Sequence, residues 1–505
     1  MTKDGDALYI DISADERARV ALVESGRLAE FYIERGVERR IVGNIYKGVV
    51  VNVLQGLQAA FVNIGLERNA YLYAGDINID RTALADPDGF ALPSRLSIRP
   101  GDTIMVQVVK EESGTKGARV TNHISLAGRY LVYTPHLPFV GVSRKISDDK
   151  ARERLERIIC ETRGAKDDGY ICRTVAERAG KKEIIAEMQK LSQRFQKIEH
   201  DFIAARPKDM VFCDGGLVFR TVRDMVTENV HRIVTNDEAA LAEMHAQMQE
   251  VMQEHADKLQ LYRGAEPLFT AAGLDKSIAA LLDKKVPLPA GGYLVIDRTE
   301  ALTVIDVNSG KYTGATDLEA TVFAVNLEAA EAIARTLRVR NIGGIVLVDF
   351  IDMTEERHRT EVLARLSEAL SSDRTKTKLM GMTQLGLVEI TRKKVRNDIS
   401  YDLAEPCPTC GGSGFVQSSD YVVTRLKGEL STVLKQPGAV GAFVTVPPRI
   451  RQKLFSGIGT PECATVWLGK RIYITTDEHL PLDKYRIALS ADRVMSVPSG
   501  AELLY

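Results

Sequence analysis

Two aspartates and an asparagine carry oxygen ligands into otherwise apolar runs of this chain. Asp306 and Asn308 lie two apart on a predicted strand at 302–307, a spacing that sends both side chains to one face. Asp349 is set into a second apolar run, 345–351, of the kind found in strands buried on both faces. A carboxylate left unpaired in such a run is costly. Hard oxygen donors of this sort suit Mg²⁺, which takes one or two carboxylates and leaves its other positions to water and a substrate phosphate. The competing reading is that each aspartate caps a turn at a strand end.

A second constellation is Cys407-Pro-Thr-Cys410-Gly-Gly-Ser-Gly. A C-x-x-C knuckle followed by glycines supplies two thiolates, while a structural zinc wants four ligands. Cys160, Cys172, Cys213 and Cys463 are single and scattered, and no histidine lies close by. The pair is therefore redox-active, metal-free, or half of a zinc site completed by a second protomer. The glycines make a poor helix start, unlike the usual redox motif, and this favours the shared zinc.

Other residues could hold RNA or phosphate. Phe61, Tyr71, Lys110 and Lys116 lie in a strand-rich stretch, where aromatic platforms and cationic rims bind single strands; core packing is the alternative for the two rings. In Gly169-Tyr-Ile-Cys-Arg173-Thr174, followed by Glu177, a hydroxyl and a guanidinium stand at a turn into a helix. That arrangement is either an ordinary capping box or a phosphate site. The basic run 391–396 is a solvated face or the border of a nucleic-acid path.

The elements that must position these groups follow from hydrophobic periodicity. Short strands are predicted at 8–12, 20–22 and 31–33. Strand-like runs at 48–54, 58–64, 70–73 and 103–110 alternate with turns and suggest an OB-fold barrel over 40–122, with a looser insertion at 93–97. Helices are predicted at 148–162, 181–202, 235–262, 316–340 and 355–371, and strands at 170–174, 217–225, 294–297, 302–307, 345–351 and 385–391. Residues 418–505 read as a small α/β tail. With 505 residues the chain has room for three or four domains. Its 45% hydrophobic and 27% charged content excludes disorder by composition. The net charge of -1 places any nucleic-acid contact in local patches. Sparse cysteines, no apolar run of membrane-spanning length and a start without signal-peptide character point to the cytoplasm.

Taken together, these segments resemble the ribonuclease E/G family, closest to its bacterial G type. The resemblance is carried by IVGNIYKGVV (41–50), LQAAFVNIGLERNAYL (57–72), GTKGARVT (114–121), GYICRT (169–174), IDVNSG (305–310), NLEAAEAIARTLRVRNIGGIVLVDFIDM (326–353), LGLVEITRKK (385–394) and CPTCGGSG (407–414). The chain stops soon after the knuckle, as the G type does. The resemblance implies a Mg²⁺-dependent endoribonuclease of single-stranded, AU-rich RNA, acting in rRNA maturation and mRNA decay, leaving 5′-phosphate and 3′-hydroxyl ends and stimulated by a 5′-monophosphate. A catalytically silent RNA-binding protein of the same fold and a Mg²⁺-dependent DNA nuclease are the alternatives.

The resemblance also assigns residues. Asp306 and Asp349 match the magnesium ligands and Asn308 the asparagine that orients them. Phe61, Tyr71, Lys110 and Lys116 match RNA-binding positions. Gly128, Val132, Arg173 and Thr174 match the 5′-phosphate pocket, where Lys376 replaces an arginine of the E type and keeps its charge without the bidentate fork. Cys407 and Cys410 match the zinc link of a homodimer or homotetramer. The implied architecture is a multidomain α/β and α+β protein. It comprises a discontinuous RNase H-like subdomain (1–39 and 213–281), the OB-fold (40–122), a 5′-phosphate sensor (123–212), a DNase I-like catalytic subdomain (282–403), the zinc link (404–417) and a small C-terminal domain (418–505).

Overall fold

Two units divide the chain, Met1–Leu403 and Ala404–Tyr505. The computed structural model describes residues 5–14, 18–34, 41–76, 98–112, 116–164, 167–251, 253–310, 318–456, 470–492 and 499–504. The predicted insertion at 93–97, the T-x-x-E start at Thr316 and Cys463 lie outside them. The chain is a mixed α/β multidomain protein, and no helix among the described residues is long and apolar enough to cross a membrane.

The first unit holds four sheets. One is an antiparallel meander, Asp6–Ile12, Ala18–Glu24 and Arg27–Glu34, extended beyond its first strand by the parallel strands Val230–Thr235 and Leu259–Leu261. A second is a closed barrel of Ile45–Leu54, Ala59–Asn63, Ala70–Tyr73, Arg119–Thr121 and Thr103–Lys110; it closes because the Thr103–Lys110 strand pairs back on the Ile45–Leu54 strand. This closure is consistent with the expected OB-fold. Its interior is narrow: a Cβ on Gly48 would fall 2.4 Å from the Val62 side chain, so only glycine lets the two strands approach. A third sheet joins Leu126–Ala127, Leu131–Thr134, Gly169–Cys172 and Val140–Val142, covered by the helices Asp149–Arg163 and Lys181–Ala204.

The fourth sheet positions the acidic pair. Its order is Lys285–Pro287, Tyr293–Arg298, Leu302–Asn308, Gly344–Asp349, Leu387–Arg392, Thr377–Met382. The Leu302–Asn308 and Gly344–Asp349 strands are parallel neighbours, and the helix Leu318–Val339 makes the crossover that such a pair requires. That helix and Glu356–Ser371 bury one sheet face through Ile305, Val307, Val346, Val348, Val388 and Ile390. The first helix ends in a left-handed residue, Asn341 at φ 50°, and Ile342 N–H closes onto Leu337 O. Arg338 near its end forks between Glu24 and Glu30 at 2.5–2.8 Å, fastening the crossover to the meander.

Two predicted elements differ, one in type and one in length. Residues 217–225, expected as a strand, form the helix Leu217–Met225. The apolar residues suit either period, but Leu217, Thr221, Val222 and Met225 are the buried ones, a helical stripe. The helix 235–262 is shorter than expected, spanning Glu238–Val251 with Asp237, not Thr235, accepting the cap bond from Ala240 N–H. Flanking residues on both sides are taken by parallel strands, because sheet pairing overrides the helical propensity of Leu259–Leu261.

The second unit has the sheet order Arg486–Ser490, Gly441–Val446, Arg471–Thr476, Glu502–Leu503. The helices Ser419–Val433 and Pro448–Ser456 share a core with it through Val422, Leu426, Leu430, Ile450, Ala442, Val444, Ile472 and Ile474.

Candidate active site

Across the parallel pair at the centre of the six-stranded sheet, Asp306 and Asp349 are direct register partners. Adjacent strands run about 5 Å apart, and paired residues project to the same side. Both side chains lie on the face away from the helices, because Ile305, Val307 and Val348 on either side of them are buried while the aspartates are exposed. Asn308, two residues on and on the same face, donates from Nδ2 to Asp306 Oδ2 at 2.8 Å. Among the described residues neither aspartate has a cationic partner. Two neighbouring carboxylates without a counter-charge, plus an amide oxygen, make a donor set that fits one hard divalent cation.

Asp349 is fixed by groups that its sequence neighbourhood does not advertise. Fully buried Asn326 donates to Ile351 O (2.8 Å) and accepts from Ile351 N–H (3.2 Å), gripping the backbone two residues beyond Asp349. Arg359 donates twice to Met353 O, at 3.0 and 2.6 Å. Glu319 accepts from the N–H and hydroxyl of Thr354 (3.1 and 2.7 Å), and His358 Nδ1 lies 2.9 Å from its other oxygen. His358 in turn stacks on Phe323 with ring centroids 4.2 Å apart. The only sequence signal for Asn326 is a polar residue in the apolar stripe of a helix.

Two predictions follow from this clamp. Asn326→Leu removes both partners of a buried peptide group, and stability should fall by about 2–4 kcal/mol; an unchanged urea midpoint would refute the clamp. The hydrogen bonds from His358 and then Thr354 hold the Glu319 carboxyl down to about 2, against an ordinary 4.5. Its stabilising contribution is therefore complete above pH 4.5 and lost as pH falls toward 2. The melting temperatures of wild type and Glu319→Gln should differ at pH 7 and converge only as pH reaches about 2.

The aromatic pair of the barrel is not core. Ala60, Val62, Ala70 and Leu72 fill the interior, and the alternate residues Phe61 and Tyr71 face outward, half-buried, edge to face at 6.1 Å. The register continues this row: Phe61 opposes Tyr71, Tyr71 opposes Arg119, and Arg119 opposes Lys110. Arg119, ion-paired to Asp76 at 2.7 Å, belongs to the row by register alone, and nothing in its local sequence singles it out. Lys116 is exposed just before that strand.

Gly128, Val132, Arg173 and Thr174 come together on the third sheet, where Val132 opposes Ile171. Arg173 donates to Gly128 O (2.6 Å) and pairs with Asp224 (2.7 Å), so part of its donor fork is already engaged. Thr174 does not cap an α-helix. It begins a short 3₁₀ turn, Thr174–Arg178, without a side-chain cap, and its hydroxyl bonds Ser143 at 3.0 Å. At the next helix the Glu183 carboxylate accepts from Gly180 N–H, one half of such a box, since glycine has no side chain to return the bond. A cleft of about 850 Å³ opens beside Arg173, with Arg220, Asp224, Arg338, Arg374 and Arg392 in its walls. Lys376 is exposed and is not among the cleft's lining residues, whereas Arg374 is.

In the second unit the Cys407–Cys410 knuckle turns on Gly411, Gly412 and Gly414, all at positive φ, and Gly414 N–H approaches Cys410 Sγ at 3.4 Å. Backbone N–H groups of Cys410 and Thr409 hold the Cys407 thiol below its ordinary value, which favours the metal-binding thiolate. Burial pushes the Cys172 thiol up to about 12, as befits a packing residue.

Residues 125–395 match the Ribonuclease E/G family as a whole. Ribonuclease G of Haemophilus influenzae is 38% identical over 495 residues, covering 96% of this chain and all of the relative. Ribonuclease G of Escherichia coli K12 is 40% identical over 432 residues, 84% of this chain and 87% of the relative. The chain belongs to the ribonuclease E/G family. Family likeness extends to ribonuclease E of Nostoc, 35% identical over 447 residues, 87% of this chain and 62% of that protein. The match to the ribonuclease E/G family spans the third sheet and the sheet that carries Asp306 and Asp349.

Proposed function

We propose that this protein is an endoribonuclease that cuts single-stranded, AU-rich RNA at the Asp306–Asp349 pair. The observation that carries this reading is the register pairing of the two aspartates on one open sheet face, with Asn308 bonded to the first. Relatives named ribonucleases support RNA as the polymer.

In this reading Asp306 and Asp349 hold Mg²⁺, and Asn308 fixes the carboxylate that it bonds. Bound there, a divalent ion would supply a water of lowered pKa and positive charge facing the scissile phosphate. Asn326 keeps the Asp349 end of the strand in place. Phe61 and Tyr71 stack on bases, and Lys110 and Lys116 contact phosphates, which selects unpaired strands because only these can splay bases onto rings. Arg173 and Thr174, with Gly128, Val132 and the exposed Lys376, receive a 5′-monophosphate. The meander extended by two parallel strands supports an RNase H-like subdomain, and the two-layer sheet at 285–392 supports a DNase I-like catalytic one. Duty in rRNA maturation and mRNA decay, in the cytoplasm, belongs to the same proposal.

Cys407 and Cys410 would each be half of a zinc site shared by two protomers of a dimer or tetramer. Metal analysis of the purified protein should then give one zinc per two chains; one per chain, or none, would overturn the sharing. The function itself is tested by mapping cleavage of 5′-monophosphorylated and 5′-hydroxyl oligoribonucleotides, and of the matching DNA, with and without Mg²⁺. Mg²⁺-dependent cuts in RNA alone, faster with the monophosphate and leaving 5′-phosphates, are expected. Equal cutting of DNA, or none of RNA, would sink the reading.

A further inference from the structure

The helices Ser419–Val433 and Pro448–Ser456 of the second unit pack on one face of its sheet, and the other face carries a pattern of its own. Burial alternates along the two central strands: Ala442, Val444, Val446, Ile472 and Ile474 point to the helices, so Phe443, Thr445, Arg471, Tyr473 and Thr475 point away. The register lines these residues up in rows. Phe443 opposes Tyr473 directly, and the row continues to exposed Ala488 on one side and to Leu503, 53% exposed, on the other. The rings of Phe443 and Tyr473 stack 5.6 Å apart with 25° between planes. In the row above, Arg486 opposes Thr445, whose hydroxyl bonds Thr475 at 2.9 Å. In the row below stands Arg471, exposed and without an ionic partner among the described residues. Among the described residues the ion pair of Arg486 is with Asp477, at 3.7 Å, and Arg486 is 72% exposed.

We propose that this face binds single-stranded RNA as a second contact, apart from the barrel row. The assignment rests on RNA being the substrate and concerns where else the strand is held. Adjacent aromatic rings on the central strands of an open sheet are a base-stacking surface. Guanidinium groups in the rows above and below match a phosphodiester backbone in charge and stack on bases themselves. Face-to-face docking of two copies would set arginine rows against arginine rows, because Arg471 and Arg486 flank the aromatic row on its two sides.

The test uses the full chain in three forms: wild type, Tyr473→Ala and Arg471→Glu. The last leaves the rings untouched and so covers a folding defect in the first substitution. Each is measured for affinity to a long unstructured RNA in the absence of divalent cation, for cleavage of a short oligoribonucleotide with Mg²⁺, and for mass by light scattering. Wild type is also photo-crosslinked to a 4-thiouridine RNA. Affinity for the long RNA should drop about tenfold in Tyr473→Ala. In Arg471→Glu it should weaken with a shallower salt dependence. Short-substrate cleavage and mass should hold, and crosslinks should fall within 441–446 or 471–476. Unchanged affinity in both variants with no crosslink there overturns the proposal, as does a change of mass at constant affinity, which would make the face a self-association surface. If wild type cleaves no RNA at all, the functional reading fails instead, and the binding arm is judged alone.

Discussion

Replacing Asp306 by asparagine should abolish most cleavage while leaving RNA binding intact. The substitution keeps the side chain's size and its ability to bond Asn308, but halves the negative charge that the paired strand ends offer a cation. Transition-state charge stabilisation by a divalent ion is worth several kcal/mol, and about 4 kcal/mol corresponds to roughly a thousandfold in rate. Single-turnover cleavage should therefore fall by about that factor at fixed Mg²⁺. Affinity for a single-stranded oligonucleotide should stay within about twofold, because in the proposed reading the binding energy of stacking and phosphate contacts comes from the barrel row. Retained cleavage at ordinary Mg²⁺ would remove the aspartate pair from the chemistry.

The largest loss of stability is expected from Arg392→Met. Arg392 and Asp373 are 3% and 5% exposed and meet at 2.6 Å. The guanidinium is saturated: it also reaches Asn341 Oδ1 (3.0 Å), Ile342 O (3.1 Å) and Thr375 Oγ1 (3.3 Å). Asp373 further accepts from Thr375 N–H (2.9 Å) and the Thr377 hydroxyl (3.2 Å). Removing the arginine strands a buried carboxylate, which costs about 3–5 kcal/mol. The double change Arg392→Met with Asp373→Leu removes both charges and should recover much of that loss. Urea denaturation measures both; a single-variant loss under about 1 kcal/mol would show that the charge is solvated. The network also holds the segment that leads to Lys376, so response to a 5′-monophosphate should weaken in the single variant.

Much of the site was legible because its chemistry is local. A carboxylate in an apolar run is anomalous wherever the run ends up, and the spacing of Asp306 and Asn308 sets a shared face by strand geometry alone. The knuckle at Cys407 and the barrel's turn-rich strands are likewise local patterns. The helix at 217–225 was misread because the apolar residues Leu217, Val218, Phe219, Val222 and Met225 are spaced so that either period fits; its type was settled by Arg220 pairing with Glu34 on one side and Val222 packing inward on the other. The strand at 259–261 was missed because three residues carry almost no intrinsic signal and gain their structure from a parallel neighbour.

What the amino-acid order determined by itself was which residues could do chemistry and, through two- and three-residue periodicity, which face of its own element each occupies. Only the tertiary structure decided which elements lie side by side: that Asp306 meets Asp349 across a parallel pair, that Arg119 joins Phe61 and Tyr71, and that Asn326 reaches Ile351. The reason is physical. Periodicity is imposed by backbone geometry over a few residues, whereas strand order and register are set by burying Ile305, Val346 and Val348 together against the crossover helix Leu318–Val339, a packing that no single element's pattern encodes.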